Sequence, residues 1–219
     1  MIPRRYLKNF LAVVLAFGLG VGIASEATPL YENSFEKAEV GKIPANLVVL
    51  AGSFSVREEA GNKFLELPGA PLDNFLVQFG PTGTNNLAVY GTIMGTSKGR
   101  RYPTFGIGLN GVAGYKLQVS PAKKLLELYR DQTVLTTIPY EWKSGVWLNL
   151  KLQTTATKSD LTEVQGKVWL KDSPEPTDWQ IKAEEKEAPA AGKASFFASP
   201  FSGTPIRFDD LRVLQREHP

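Results

Sequence analysis

The stretch TPIRFDDLRV, residues 204–213, decides the fold. Up to its middle the apolar residues stand on even positions, Ile206 and Phe208. After it they stand on odd ones, Leu211 and Val213. A β-strand sends alternate side chains to opposite faces, so a change of parity requires one extra residue. Asp209 and Asp210 occupy that irregular point. Two ionised carboxylates are not stable side by side in a dry core without a cation or several donors to offset them. The pair therefore marks a bulge in a closing strand, with either a metal ion or Arg207 or Arg212 as its partner.

Working outward, short strand patterns fill the chain. They are NLVVL (46–50), SFSVRE (53–58), KFLEL (63–67), NFLVQF (74–79), NLAVYGTIMG (86–95) and TFGIGLN (104–110). GYKLQVS (114–120), LLELYR (125–130), QTVLTTI (132–138), GVWLNLKLQ (145–153), EVQGKVWLK (163–171) and KASFFAS (193–199) follow. Between them lie GPTGTNN, TSKGRR, NGVAG, YRDQT, KDSPEP and PFSGTP, rich in the residues that turns require. No segment keeps a helical period, and the charged, proline-broken AEEKEAPAAG (183–192) reads as an exposed loop. Evenly spaced strands of this kind predict one all-β domain, an antiparallel β-sandwich of jelly-roll type.

The N-terminus reads as an address. Arg4, Arg5 and Lys8 precede the apolar run FLAVVLAFGLGVGIA (10–24), and small residues follow in GIASEA. This is the pattern of a secretory signal over residues 1–27, followed by the sandwich over residues 28–219. The expected location is periplasmic or extracellular, with no membrane span in the mature chain. Residues 1–27 carry three of the cations and one of the anions, so the formal +3 of the whole chain falls to +1 without them. The basic balance belongs mostly to the address, which removes the electrostatic footing of a nucleic-acid partner.

The chain holds no cysteine, and its one histidine is His218. Thiol chemistry, cysteine-based zinc sites and histidine-centred catalysis are excluded from the fold. The chain of about 190 residues after the signal is long enough to hold itself by core burial without disulfides.

FEKAEVGKIPANLVVLAGSFSVREEAGNKFLELPG (35–69) resembles the opening of concanavalin A-like lectin/glucanase domains of secreted bacterial proteins, LamG-like and keto-disaccharide hydrolase-like ones among them. GVWLNLKLQ resembles their central strand, and GKASFFASPFSGTPIRFDDLRV (192–213) resembles their closing strand pair. The resemblance implies two large antiparallel sheets, one convex and one concave, with glycan recognition as the usual theme. Fold analogy alone does not assign function. The chain departs from the family 16 β-glucanases, whose glu-x-asp-x-x-glu signature is absent; EEKE (184–187) has neither its spacing nor its strand context.

Related carbohydrate modules close a structural calcium site with such a terminal aspartate. Calcium accepts mixed carboxylate and carbonyl oxygens, and Asp210 with Glu36 and Asn33 would supply some of them. As a catalytic pair Asp209 and Asp210 fail, because strand neighbours point to opposite faces and cannot flank one glycosidic bond.

A glycan groove needs aromatic faces for sugar C–H groups and amides or cations for hydroxyls. Trp147 and Asn149 lie opposite the core leucines of their strand, Gln118 opposite Leu117 and Val119, and Asn110 beside the glycines of TFGIGLN. Trp169 joins Trp147 if the strands are in register; otherwise Trp147 only covers a sheet edge. Trp142 and Trp179 lie in or beside loops as sugar platforms or loop pins. Arg100, Arg101 and Tyr102 form a loop that either binds acidic sugars or is simply solvated. The expected function is carbohydrate binding, of polysaccharide or oligosaccharide, without catalysis. The competing readings are a glycoside-cleaving enzyme with Glu127 as a candidate carboxylate, and a partner-binding module with no glycan.

Overall fold

The computed structural model describes residues 29–69, 73–157, 161–201 and 203–215. The expected signal over residues 1–27 and His218 lie outside them. The chain begins with β1 (Pro29–Asn33), β2 (Leu47–Ala51), β3 (Ser55–Glu59), β4 (Asn62–Leu67) and β5 (Phe75–Gly83). It continues with β6 (Leu87–Gly95), β7 (Thr104–Leu109), β8 (Tyr115–Ser120), β9 (Leu125–Arg130) and β10 (Thr133–Pro139). It ends with β11 (Trp147–Ala156), β12 (Thr162–Leu170), β13 (Ile181–Glu185), β14 (Gly192–Ser199) and β15 (Ile206–Gln215). Among the described residues no helix is long and apolar enough to cross a membrane.

Two antiparallel sheets face each other. One runs β13-β12-β11-β6-β15-β4-β3, with β1 paired to β15; the other runs β10-β9-β8-β7-β14-β5-β2. The all-β sandwich expected from the alternation is thus the fold. Leu148, Leu150, Leu152, Val89, Ile93 and Val164 from the first sheet are buried against Ile107, Leu117, Val119, Leu126, Leu128 and Phe196 from the second. Phe196 of β14 and Phe208 of β15 stack across the interface with ring centroids 4.2 Å apart, and Phe54 meets both edge-on. Offset aromatic pairs of this kind add to the burial of their area and hold the two layers in register.

The parity break of the closing strand is a bulge. Asp209 opposes Thr92 and Arg212 opposes Tyr90, so two residues of β15 stand where β6 has one. Asp210 absorbs the extra residue at φ 49°, in the left-handed region that aspartate tolerates better than most residues. Ile206, Phe208, Leu211 and Val213 all stay buried as a result.

One expectation is corrected. Residues 183–185, read as loop, belong to β13, which opposes Gly166 to Thr162 of β12. Its inward positions carry Ile181, Ala183 and Glu185, and its outward ones, Lys182 and Glu184, are charged, as suits an exposed sheet edge. Arg130 of β9 donates to Glu185 at 2.8 Å, tying this edge to the opposite sheet.

Candidate functional site

The seven-stranded sheet has an outer face whose composition follows from its register. One row across it reads Thr137, Glu127, Gln118, Gly106, Phe197, Leu76 and Ala51, each opposite the next on the neighbouring strand. The next row reads Val134, Tyr129, Lys116, Gly108, Ser195, Gln78 and Val48. The alternate residues of these strands, Val77, Phe105, Ile107, Leu117, Leu126, Leu128 and Phe196, fill the core.

Ala51, Leu76, Phe197 and Gln118 of the first row and Lys116 and Tyr129 of the second line a groove of about 590 Å³. Leu50, Ala51, Leu76 and Phe197 make its apolar side; Lys116, Gln118 and Tyr129 make the other, with Asp131, Gln132 and Val112 above. Gly106 explains the floor. A Cβ there would lie 2.6 Å from Cζ of Phe197 and 2.0 Å from the Leu117 carbonyl oxygen, so only glycine lets the phenyl ring lie flat over the strand. Gly108 likewise leaves room for Ser195, whose Oγ would be 2.6 Å from a Cβ. The space at both glycines is therefore filled by neighbouring groups.

Glu127 stands opposite Gln118 on the neighbouring strand, outside the groove lining, and is almost fully buried. Its Oε2 accepts from Gln118 Nε2 at 3.1 Å and from Ser120 Oγ, and its Oε1 accepts from Lys123 Nζ at 3.1 Å. Burial alone would raise its carboxyl; the donors Ser120, Lys123 and Gln118 outweigh that and hold it below the usual carboxylate range.

The residues singled out from the sequence fall in several places. Gln118 is in the groove. Trp147, Asn149 and Trp169 share the outer face of the other sheet, where Asn149 stands between Trp169 and Thr92. Trp147 and Asn149 do not share a face with Gln118, because β8 and β11 belong to different sheets. Trp147 is half-buried, edge-on to Phe64 at 6.0 Å and beneath the Lys171 ammonium at 5.6 Å. Trp179 lies against the Lys167 and Lys151 ammonium groups at 4.6 and 5.3 Å. Trp142 packs on Phe105 at 6.2 Å, with its Nε1 buried and unpartnered. Asn110 is buried and donates to the carbonyl oxygens of Thr84 at 2.7 Å and Gly83 at 3.3 Å. Arg100, Arg101 and Tyr102 are exposed in the β6–β7 connection, where Lys98 and Arg101 bond each other's backbone.

Sequence reasoning missed Tyr129 and Phe197. The signal for Phe197 is the adjacent pair in KASFFAS, since one of two neighbouring strand phenylalanines must face outward.

Asn33, Glu36 and Asp210 do not fit a calcium ion. Asn33 Oδ1 accepts from Phe35 N at 2.9 Å, and Glu36 Oε1 from Lys63 N at 3.2 Å. The Lys171 ammonium stands 2.9 Å from Asp210, where a metal would have to be. No cluster of three or more metal-ligating acidic or histidine residues occurs among the described residues. Lys171 also replaces the arginines anticipated as partner of the doubled aspartate, while Arg207 pairs with Glu59 and Glu66.

No family model and no curated protein matches the chain in sequence. Solved structures do match its fold. The carbohydrate-binding module CBM66 from Bacillus subtilis superposes with a TM-score of 0.53 at 11% identity, over 78% of this chain and 96% of its own. Domain 4 of AbnA, an extracellular arabinanase of Geobacillus stearothermophilus in complex with arabinotriose, gives 0.52 at 13% identity, over 87% and 94%. The exoplasmic/lumenal domain of VIP36, in its Ca2+/Man3GlcNAc-bound form, gives 0.53 at 8% identity, over 81% and 86%. At these identities the likeness establishes a shared sandwich fold.

Proposed function

We propose that this chain is an exported, non-catalytic carbohydrate-binding module whose glycan lies across the outer face of the seven-stranded sheet. The observation that carries the reading is the registered pair of rows. Phe197, Leu76 and Tyr129 offer apolar surface to sugar C–H groups, while Gln118 and Lys116 of β8 offer polar partners to hydroxyls. Three neighbours of the same fold are described as carbohydrate-binding or carry a bound oligosaccharide, which supports the class of ligand. Export, to the periplasm or beyond, rests on the signal pattern of residues 1–27.

The non-catalytic part is supported by Glu127. A general acid of glycoside cleavage needs a carboxyl held protonated by a raised pKa. Glu127 is held in the opposite state, and its oxygens are spent on three protein donors.

The test is depletion of the protein from solution by a panel of neutral and acidic polysaccharides, with reducing ends assayed in parallel. Selective depletion without release of reducing ends supports the module. Depletion by none of the panel overturns it, and release of reducing ends moves the protein to the enzymes.

A further inference from the structure

Two opposite charges border the groove. Among the described residues that line it, Lys116 is the cation and Asp131 the anion. Lys116 stands on β8 directly opposite Tyr129 of β9. Its stem passes over Gly108, with Cγ 3.7 Å from where a Cβ would stand. Its Nζ donates to the Asp131 backbone carbonyl oxygen at 3.1 Å. That bond anchors the ammonium at the rim and uses one of its three hydrogens.

No carboxylate of the protein is paired with Lys116 among the described residues. The lysines of the other outer face differ. Lys151, Lys167 and Lys171 have carboxylate oxygens at 2.8, 3.1 and 2.9 Å. The acidic groups around Lys116 are otherwise placed. Glu127 lies outside the groove lining and is matched by Lys123 at 3.1 Å. Asp131 is exposed in the turn after β9 and gives Lys116 its backbone oxygen, not its side chain. Lys116 is thus a half-buried ammonium beside an aromatic ring, fixed in place but not neutralised. Its two remaining hydrogens suit an anion brought from outside.

We infer that the groove takes an acidic glycan, a uronate-bearing chain whose carboxylate accepts from Lys116 while its ring lies on Tyr129. The inference rests on the lectin-like reading and deepens it. Residues opposite each other on paired strands stand about 5 Å apart, so one sugar residue spans both. Gln118, two residues along β8, and the Asp131 carboxylate are left for the hydroxyls. Asp131 repels the sugar carboxylate, but it does so from an exposed turn through water, whereas the ammonium meets it in direct contact. The contact outweighs the screened repulsion. A hydrogen bond with a charged partner is about twice as strong as a neutral one, which sets the preference over a neutral sugar at about fivefold.

Calorimetric titration tests this with hexamers of galacturonate, glucuronate and mannuronate. Their methyl esters, which keep the sugar and remove the charge, and neutral hexamers of glucose, xylose, mannose and arabinose are run beside them. The expected result is that an acidic hexamer binds the wild type tightest, about fivefold more tightly than its own ester, and that the gap closes in high salt. Lys116→Gln, with its thermal midpoint measured alongside, should bring the acid down to the level of the ester, and Lys116→Arg should keep the preference. If Lys116→Gln fails to fold, the ester comparison in the wild type decides alone. An ester or neutral hexamer that binds as tightly as the best acid overturns the inference and leaves the lectin-like reading intact. A preference for the acid that survives Lys116→Gln also overturns it. No binding by any hexamer overturns both together.

Discussion

Asp209 and Asp210 are joined by a hydrogen bond within the bulge, the Asp210 N–H donating to Asp209 Oδ1 at 2.8 Å. Asp209 is fully buried, whereas Asp210 is partly exposed. The Lys171 ammonium lies 2.9 Å from Asp210 and 3.6 Å from Asp209, and Asn62 donates to Asp209 at 3.1 Å. One cation thus serves two carboxylates, which leaves the buried one short of compensation. Burial, and then the charge of Asp210, push the Asp209 carboxyl up from 3.8 to about 6.

The sign of its effect on stability follows. The folded state holds this proton more tightly than the unfolded chain does. Its contribution is complete below about pH 4 and is lost as pH rises through about 6. The size of the loss is on the order of 3 kcal/mol. Urea titrations at pH 4, 5, 6 and 7 should show the difference between wild type and Asp209→Asn moving steadily in favour of the variant as pH rises. A pH-independent difference would contradict the assignment.

Phe208 carries the stacking contact between the sheets, and its truncation leaves a cavity between Phe54 and Phe196. Phe208→Ala should lower the unfolding free energy by about 3–5 kcal/mol, measured by chemical denaturation. A loss below about 1 kcal/mol would mean that the core collapses freely around the site.

Gly106 and Gly145 should respond in different ways to alanine. A Cβ on Gly106 strikes the Leu117 backbone, which cannot move without opening the β7–β8 pairing. Gly145 has nothing within 4 Å and only its φ of 75° to object. Gly145→Ala should cost about 1 kcal/mol, while Gly106→Ala should fail to give soluble folded protein. Near-normal thermal midpoints for Gly106→Ala would contradict the close approach.

Lys167 is a buried cation whose Nζ donates to Glu175 and to the carbonyl oxygens of Pro176 and Thr177. It pins the 172–180 connection to the outer face of the eight-stranded sheet, beneath Trp179. Lys167→Met should speed hydrogen exchange across 172–180 by tenfold or more with little change elsewhere. Unchanged exchange there would show that Lys151, which also meets Glu175 and Trp179, suffices.

Much of the fold was legible because alternation is local. The parity break at Asp209–Asp210 identified a bulge without any knowledge of its neighbours, since burial of Phe208 and Leu211 together demands it. What stayed hidden was partnership. Trp147 in β11 and Gln118 in β8 show the same polar alternation, and nothing local tells one sheet's outer face from the other's. Glu127 was ambiguous for the same reason. Its neighbours in parity, Leu125 and Tyr129, look like core residues, yet Leu126 and Leu128 take the core. The burial of Glu127 comes from Ser120, Gln118 and Lys123 closing over it on the outer face. β13 escaped notice because its two apolar inward residues, Ile181 and Ala183, are too few to mark a strand.

The central claim is that a glycan lies on the outer face of the seven-stranded sheet, and paired substitutions on the two sheets test it most directly. The polysaccharide that depletes the wild type is titrated against Tyr129→Ala, in the groove, and Trp179→Ala, on the opposite face. The account predicts at least a tenfold loss of affinity for Tyr129→Ala and an unchanged affinity for Trp179→Ala. Loss confined to Trp179→Ala would contradict it and move the site to the other sheet.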